Sequence, residues 1–413
     1  MKLALKWIFI ITTSIIFLYA FSASYRSENI DQLDYAVAIS VDNLPDSDNL
    51  EVSFEFTDSG TYSVNSSSED SEPIINTVVA PSVSSAINII NAYVGKQLNL
   101  SHCKVIVFSQ EFAKKGILSE VSYLMNSTQI RPTTNIIIAN NNAKEYLENS
   151  ISSLEQVLTK YYEIFPSSSE YTGYTSNILL GEFYESLINK DSGSVTMQGK
   201  ISNISNQNNE TSNNTSTNNT TEDLIIPDES IVEGDRGTEN IGLCVFKDDK
   251  YVGDLSALET LCYSLLEDEV DNFLVSIDSP FSENQKIDIS VDSLSSSFID
   301  VDTSGENPII NIKINLRAKT LTGQDKLDYS DTETLKQLNY SLKDYLSSQI
   351  TNYLYKTSRE YKSDINQFYR VARRKFTTIT DFENYNWEQK YENAEFNVEI
   401  NSDIISSLLI QNT

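Results

Sequence analysis

The side chains best suited to metal binding or nucleophilic catalysis are a single histidine, His102, and three cysteines, Cys103, Cys244 and Cys262. No two cysteines stand at CxxC spacing. His102 and Cys103 are adjacent, so on a strand they point to opposite faces and cannot share one metal ion. The sequence therefore predicts no zinc site and no disulfide framework, and it favours buried free thiols. A bridge between Cys244 and Cys262 stays open for an exported chain.

Sequence motifs for hydrolysis and nucleotide binding are also missing. The chain contains no GxSxG, HExxH, GxxxxGK[ST] or GxGxxG. A catalytic triad would depend on His102, because histidine is the usual general base near neutral pH. Asp300, Asp302 and Gly305 match part of a calcium loop, but the other ligand positions and the closing glutamate are absent, which favours a solvated turn. We predict no catalytic residue, no metal ligand and no cofactor.

The charge balance excludes one class of partner. The chain has 413 residues, with 59 acidic and 30 basic side chains and a net charge of −29. Nucleic acid is an unlikely ligand for such a chain, because phosphate binding needs clustered positive charge. The one basic cluster contains Arg370, Arg373, Arg374 and Lys375. It lies near the end of a predicted helix, where it complements the helix dipole, and docking against acidic headgroups or a partner subunit is the alternative.

The amino end has the pattern of a signal peptide or membrane anchor. Lys2 and Lys6 precede a nearly uninterrupted apolar run, Trp7 to Ala23, and acidic polar sequence follows. Residues 1–24 are therefore predicted to be a signal or anchor segment, with the rest of the chain outside the cytoplasm. A buried core helix is the alternative, and cleavage within Ser22-Ala23-Ser24 stays open.

Residues 25–200 are predicted to form an N-terminal α/β domain. Leu33–Val41 and Leu50–Phe56 alternate like two strands of a hairpin, and Ser59–Glu72 has the composition of a mobile loop. Pro81 opens an amphipathic helix. Two short apolar strands flanking a helix then predict a βαβ-like unit, followed by another helix; the segments are Lys104–Ser109, Phe112–Met125, Thr134–Ala139 and Ala143–Leu158.

Residues 201–236 are predicted to be a linker, since Ser202–Glu222 is almost entirely Asn, Ser and Thr. Residues 237–413 are predicted to form a C-terminal α+β domain. It starts with a short hairpin and a helix with the capping box Ser256–Glu259. An antiparallel sheet with a long helix laid over it follows, then a helix capped by Asp364 and a last strand; the segments are Phe273–Ile277, Lys286–Asp292, Ile310–Leu316, Leu335–Ile350, Ile365–Phe376 and Phe396–Ile400. The predicted class is α+β, multi-domain, with mixed or antiparallel sheets and packed helices.

In this order the elements resemble the Ger(x)C family, the third subunit of spore germinant receptors. No single match is specific, but several occur in the family's order over nearly the whole chain. The matching segments are the strand Asp31–Asp42, Leu100–Val107 (LSHCKVIV), Phe112–Ile117 (FAKKGI), Gly242–Leu255 (GLCVFKDDKYVGDL), Glu259-Thr260 and Lys362–Ile365 (KSDI).

The resemblance implies a non-enzymatic, membrane-tethered subunit on the outer face of the inner spore membrane. Its expected partners are the integral-membrane A-type and B-type receptor subunits, and its expected role is receptor assembly or signal transmission. The family usually carries a lipidated cysteine after the signal core, whereas Ala20-Phe21-Ser22 has none. Two alternatives stay open: a surface-anchored solute or peptide binder that selects cationic ligands, and an exported hydrolase with paired carboxylates.

Overall fold

The computed structural model describes residues 2–23, 32–56, 74–150, 158–201, 237–283, 285–323 and 331–406. The predicted loop Ser59–Glu72 and the predicted linker Ser202–Glu222 lie outside these residues. The strands are β1 (Leu33–Asn43), β2 (Leu50–Phe56), β3 (Ile74–Ala80), β4 (Gln97–Asn99), β5 (Val105–Ser109), β6 (Asn135–Ala139), β7 (Ser194–Ile201), β8 (Thr238–Glu239), β9 (Leu243–Lys247), β10 (Lys250–Leu255), β11 (Asn272–Asp278), β12 (Lys286–Ser293), β13 (Phe298–Asp302), β14 (Ile309–Gly323) and β15 (Glu395–Ser406). The helices are α1 (Lys2–Ala23), α2 (Val83–Tyr93), α3 (Gln110–Lys115), α4 (Leu118–Asn126), α5 (Ala143–Asn149), α6 (Leu158–Ile164), α7 (Ser169–Thr172), α8 (Leu180–Ile188), α9 (Ala257–Leu266), α10 (Thr332–Tyr355), α11 (Tyr369–Arg373), α12 (Ile379–Tyr385) and α13 (Trp387–Tyr391).

The first sheet is mixed, with parallel strands at its centre and antiparallel strands at both sides. Its order is β10-β9-β7-β6-β5-β1-β2-β3, and β4 and β8 pair with β1 and β7. Strands β1, β5, β6 and β7 are mutually parallel. Every residue of β5 (VIVFS) and β6 (NIIIA) is buried, as expected for strands with both faces covered. The predicted hairpin and βαβ-like unit are confirmed within this sheet.

Two predicted helices are shorter than their apolar patterns suggested. The predicted helix Phe112–Met125 was wrong as one element, because Gly116 adopts φ +122° and separates α3 from α4. The predicted helix Ala143–Leu158 is α5 at its start, which ends at Asn149; residues 151–157 lie outside the described part. The amphipathic helix predicted to open at Pro81 is present as α2. It begins two residues later, at Val83, after the N-cap Ser82, which accepts a hydrogen bond from the Ser85 amide at 3.2 Å.

The second sheet has the order β11-β12-β14-β13, and β15 lies along the other side of β14. The predicted antiparallel strands are confirmed in β11, β12 and β14, while β15 runs parallel to β14 over twelve residue pairs. Helix α10 packs on one face through Leu338, Leu342, Leu346 and Ile350. On the opposite face of the sheet, the strands carry exposed polar side chains at alternate positions. Lys313 Nζ lies 2.8 Å from Glu399 Oε2 on that face.

One apolar core runs through both sheets. Buried side chains of the first sheet, such as Phe54 and Phe246, belong to the same cluster as Ile312, Leu346 and Trp387 of the second. A smaller cluster around Val107, Ile137 and Tyr162 covers the opposite face of the first sheet. The predicted α+β class, with mixed or antiparallel sheets and packed helices, is confirmed, and the described residues form two sheets.

Helix α1 exposes apolar side chains to the surroundings along its described length. The exposed fractions of Leu5, Trp7, Phe9 and Phe17 are between 61% and 69%. Among the residues that the structure describes, none of the helices has both the length and the apolar character needed to cross a membrane.

Candidate functional site: the junction between the two sheets

The second half of the chain begins by extending the first sheet. The hairpin β9–β10 follows the predicted linker, and β9 pairs antiparallel with β7, from Ser194 opposite Phe246 to Met197 opposite Leu243. The chain then turns into α9 and on to the second sheet. Three of the segments quoted from the sequence, Gly242–Leu255, Glu259-Thr260 and Lys362–Ile365, supply hydrogen bonds in this junction, so we take it as the candidate site.

Two glycines allow the backbone to approach its neighbours closely here. Gly242 has φ +95°, and a Cβ at this position would lie 2.6 Å from the carbonyl oxygen of Leu255. A Cβ on Gly253 would lie 2.4 Å from the ring of Tyr361. The Tyr361 hydroxyl donates to the Asp254 carbonyl at 2.6 Å, so the ring is held against the β10 backbone. Close approach of the backbone to its neighbours therefore accounts for glycine at both positions.

Glu259 connects the start of α9 to the end of α10. The predicted capping box is present: Ser256 Oγ accepts from the Glu259 amide, and Glu259 accepts from the Ser256 amide at 2.8 Å. Lys356 Nζ also lies 2.7 Å from Glu259 Oε2 and donates to the Asp254 carbonyl at 3.1 Å. Glu259 and Lys356 together therefore join the start of α9, the end of α10 and β10.

Ser363 and Asp364 tie the chain after α10 to the first sheet. Ser363 Oγ donates to the carbonyl of Phe246 in β9 at 2.7 Å, and the Gly193 amide donates to the Asp364 carbonyl at 2.9 Å. The Asp364 carboxylate accepts from the amides of Phe368 and Tyr369 at 3.0 and 2.8 Å. It therefore holds the turn that leads into α11. The predicted helix Ile365–Phe376, capped by Asp364 with Gln367, was wrong at its start, because α11 begins at Tyr369 and its N-cap is Phe368.

The same carboxylate has a third donor that the sequence did not predict. Trp387 Nε1 donates to Asp364 at 2.9 Å, and Trp387 is fully buried. Burial raises the pKa of the Asp364 carboxyl to about 7, against the three hydrogen bonds that lower it. Asp364 is thus the buried polar centre of the junction.

Beside this centre lies a cleft of about 320 Å³ between α8, the end of α9 and α11. Its lining includes apolar residues, Phe183, Val195 and Ile365, and polar ones, Glu182, Glu185, Glu267, Glu269, Gln367 and Arg370. Glu267 accepts from Asn366 Nδ2 at 2.8 Å, and Glu269 accepts from Ser176. Acidic groups from both halves of the chain face one another across this cleft.

Burial raises the pKa of the Glu267 carboxyl to about 7, against the Asn366 hydrogen bond that lowers it. Burial likewise raises the pKa of Glu55, in the first sheet, to about 7, against the Tyr162 hydrogen bond that lowers it. Since these folded-state values lie above the ordinary value of 4.5, the neutral carboxyls stabilise the fold at low pH. That contribution is lost as the pH rises from about 4.5 towards 7.

The Glu267→Gln variant of the full chain is expected to lose stability less steeply than the wild type between pH 5 and pH 8. The reason is that glutamine keeps the acceptor for Asn366 but does not ionise, and each pKa unit corresponds to about 1.4 kcal/mol. Urea denaturation at several pH values measures the slope. Glu306→Gln, at an exposed turn, is the matched control and should keep the wild-type slope; equal slopes for all three chains would contradict the assignment.

Of the residues first considered for chemistry, the histidine and its neighbouring cysteine differ in exposure. His102 is exposed, with its ring centroid 4.6 Å from that of Tyr35, while Cys103 is buried. Cys244 and Cys262 are also buried and free, which confirms the free-thiol prediction. Within the described residues, no group of three or more His, Cys, Asp or Glu side chains is arranged to hold a metal ion.

An ion pair joins the segment that partly matches a calcium loop to the basic cluster. Lys375 Nζ lies 2.6 Å from Asp300, and Asp302 accepts from the Ser304 amide in a local turn. Arg370 turns instead to the cleft, where its Nε donates to the Tyr369 hydroxyl at 3.2 Å. The four basic residues therefore do not share one partner.

Sequence reasoning selected the strand ending in Asp42 without giving that aspartate a role. Its buried carboxylate accepts from the amides of Ala143 and Lys144 at 2.7 and 3.0 Å, at the start of α5. The junction residues Lys356, Tyr361 and Trp387 were missed entirely. Trp387, between Asn386 and Glu388, gave no local signal, because its hydrogen-bond partner lies 23 positions away.

Comparisons with known proteins agree with this architecture. A family model described as the spore germination protein N-terminal domain matches residues 26–201, and a model described as spore germination B3/GerAC like, C-terminal, matches residues 241–407. The crystal structure of the GerBC protein superposes with a TM-score of 0.54 and 15% sequence identity, covering 91% of this chain and all of that one. No curated protein matches this chain in sequence.

Proposed function

This chain belongs to the Ger(x)C family of spore germination proteins, and on that premise we propose that it is a non-enzymatic, membrane-tethered subunit of a spore germinant receptor. In this proposal it assembles with the integral-membrane A-type and B-type subunits on the outer face of the inner spore membrane. Its role is receptor assembly or transmission of the germination signal. The proposed organisation is a tether at 1–24, an N-terminal part at 25–200, a linker at 201–236 and a C-terminal part at 237–413.

The observation that carries this proposal is the structural role of the segments that resemble the family. Gly253, Glu259, Ser363 and Asp364 hold two sheets in a fixed relation through hydrogen bonds and close backbone contacts. Residues with this role fix the relative positions of the surfaces around them. This role supports the proposal that the chain is a scaffold that binds other proteins. A catalytic role would instead call for a nucleophile beside a general base.

The tether is supported by α1. Most of its described side chains are apolar and exposed, and the Thr12 and Thr13 hydroxyls donate to carbonyls of the same helix. Apolar exposed side chains are suited to lipid or to the membrane-embedded parts of partner subunits. Because the usual lipidated cysteine is missing from Ala20-Phe21-Ser22, the helix itself is the proposed attachment.

Deleting the gene is expected to abolish the response of spores to one class of germinant while vegetative growth continues, since only receptor assembly or signalling is lost. Complementation with the full chain should restore the response. A version lacking residues 1–23 should not restore it and should leave the membrane fraction, whereas an unrelated membrane anchor joined to residue 24 should restore both.

Unchanged germination of the deletion strain with every germinant would contradict the proposal, as would substrate turnover by the purified chain. A thermal shift of the full chain with free amino acids would favour the solute-binding alternative, because a ligand at a hundred times its Kd adds about 2.7 kcal/mol.

A further inference from the structure

The cleft between α8, the end of α9 and α11 has the size and lining of a small-molecule site. Its volume of about 320 Å³ lies at the lower end of the range of ~300–1,000 Å³ that such sites usually have. Five of its lining side chains are buried and mainly apolar: Ile178, Phe183, Val195, Tyr263 and Ile365. The cleft therefore offers an apolar surface to the body of a small ligand.

Tyr263 brings a hydroxyl group without a partner to this cleft. The residue is only 5% exposed, and its hydroxyl makes no hydrogen bond with any residue that the structure describes. Burial raises the pKa of this phenol well above its ordinary value, and the nearby carboxyls of Glu269, Glu267 and Glu182 raise it further. A buried hydroxyl without a partner costs free energy, so its position at the cleft indicates a hydrogen-bond partner that a ligand supplies.

Gln367 adds a second polar group of this kind. Its side-chain oxygen, Oε1, is buried and has no hydrogen-bond partner among the described residues, and the residue lines the same cleft. An amide oxygen can only accept hydrogen bonds, so the group that satisfies it must be a donor. The cleft therefore favours a ligand that carries N–H or O–H groups.

The charged groups of the cleft select the sign of the ligand. Its ionisable lining includes four carboxyls and one guanidinium: Glu182, Glu185, Glu267, Glu269 and Arg370. Glu267 accepts one hydrogen bond from Asn366 and Glu269 accepts one from Ser176, which leaves further acceptor sites on both carboxylates. Carboxylates in excess over cations attract positive charge.

We infer that this cleft binds an organic cation with a primary ammonium group and a short aliphatic body. An ammonium group has three N–H donors, enough for the carboxylates of Glu267 and Glu269 and for Gln367 Oε1. The aliphatic body then lies against Phe183 and Val195. A metal ion fits less well, because no three carboxyls of the described chain are arranged to hold one. This inference goes beyond the proposed function and does not depend on it.

Binding of such a cation is expected to depend on pH. Burial raises the pKa of Glu267 to about 7 and also raises that of Glu269. The ionisable groups that act on these carboxyls from neighbouring elements are Glu182, Tyr263, Asp364 and Arg370. Since an ammonium group favours the ionised carboxylates, its affinity should rise from about pH 6 to about pH 8 and binding should release protons. Calorimetry in buffers of different ionisation enthalpy measures this release, and a pH-independent affinity would contradict the site.

Isothermal titration calorimetry of the full chain in a neutral detergent, with n-butylamine as the probe, is expected to show saturable binding at a single site. Three compounds of similar size separate the causes. Butanol lacks the charge, butyrate carries the opposite charge, and tetramethylammonium is a cation without N–H donors. Each should bind at least about tenfold more weakly than n-butylamine. Absence of saturable binding by n-butylamine at millimolar concentration would overturn the inference, as would equal binding of butanol.

Two variants test the residues that carry the inference. Tyr263→Phe should weaken n-butylamine binding by about fivefold while the stability towards urea stays near that of the wild type, because the lost hydroxyl has no partner in the described chain. Glu269→Gln keeps an acceptor for Ser176 but loses the charge, and it should weaken binding by about tenfold or more.

Glu306→Gln is the matched control for the change of charge, since Glu306 does not line the cleft. It should bind n-butylamine like the wild type. An equal loss of affinity in Glu306→Gln and Glu269→Gln would show that the net charge of −29 attracts the amine without a specific site, and it would overturn the inference.

Discussion

Replacing Asp364 with alanine is expected to lower the free energy of unfolding by about 3–5 kcal/mol, the largest effect of any single polar substitution at the junction. The substitution leaves three buried donors without an acceptor: the amides of Phe368 and Tyr369 and the indole N–H of Trp387. Each orphaned buried donor costs about 1–3 kcal/mol, and partial access of water to the new space reduces the sum. Urea denaturation of the full chain, followed by tryptophan fluorescence, measures the change.

The Asp364→Asn variant separates the contribution of hydrogen-bond geometry from that of the carboxylate charge. The asparagine carbonyl still accepts hydrogen bonds at one position, so its cost should be about half that of alanine or less. A matched control is Asp381→Ala, which removes an exposed aspartate from the first turn of α12 and should stay within about 1 kcal/mol. If Asp364→Ala cost no more than this control, Asp364 would not be the polar centre of the junction.

Local features of the fold could be predicted because they depend on neighbouring residues. The capping box at Ser256 and Glu259, the β9–β10 hairpin and the alternating strands of the second sheet all have signals within a few positions. The break at Gly116 was missed, since the apolar pattern continues across it and only the φ of +122° shows the interruption. β3 was also missed, because it follows a polar stretch and precedes the helix opened by Pro81.

The candidate site could not be predicted, because its contacts join residues that are far apart in the chain. Ser363 bonds to Phe246 over 117 positions, and Tyr361 bonds to Asp254 over 107. The sequence pointed to the segments through family resemblance, yet it gave them no partners. Nothing in the periodicity of β9 and β10 showed that this hairpin would join the first sheet, since an antiparallel hairpin has the same pattern in either sheet.

Gly253→Ala is expected to lower the free energy of unfolding by about 2–4 kcal/mol. A methyl group there would meet the Tyr361 ring at 2.4 Å, so the ring must move. The Tyr361 hydroxyl donates to the carbonyl of the next residue, Asp254, at 2.6 Å, and the ring is 7% exposed, so any movement breaks that hydrogen bond or disturbs the core. The cost therefore combines overpacking with a lost hydrogen bond.

A double-mutant cycle with Tyr361→Ala tests this cause directly. Tyr361→Ala alone should cost about 3–5 kcal/mol, as for other large buried side chains. In that background Gly253→Ala should cost less than about 1 kcal/mol, because the space for the methyl group is open. Gly95→Ala is the matched control, since a Cβ there has no atom within 4 Å, and it should change stability by about 0.5 kcal/mol or less. An equal cost of Gly253→Ala in both backgrounds would show that the contact with Tyr361 is not what requires glycine on β10.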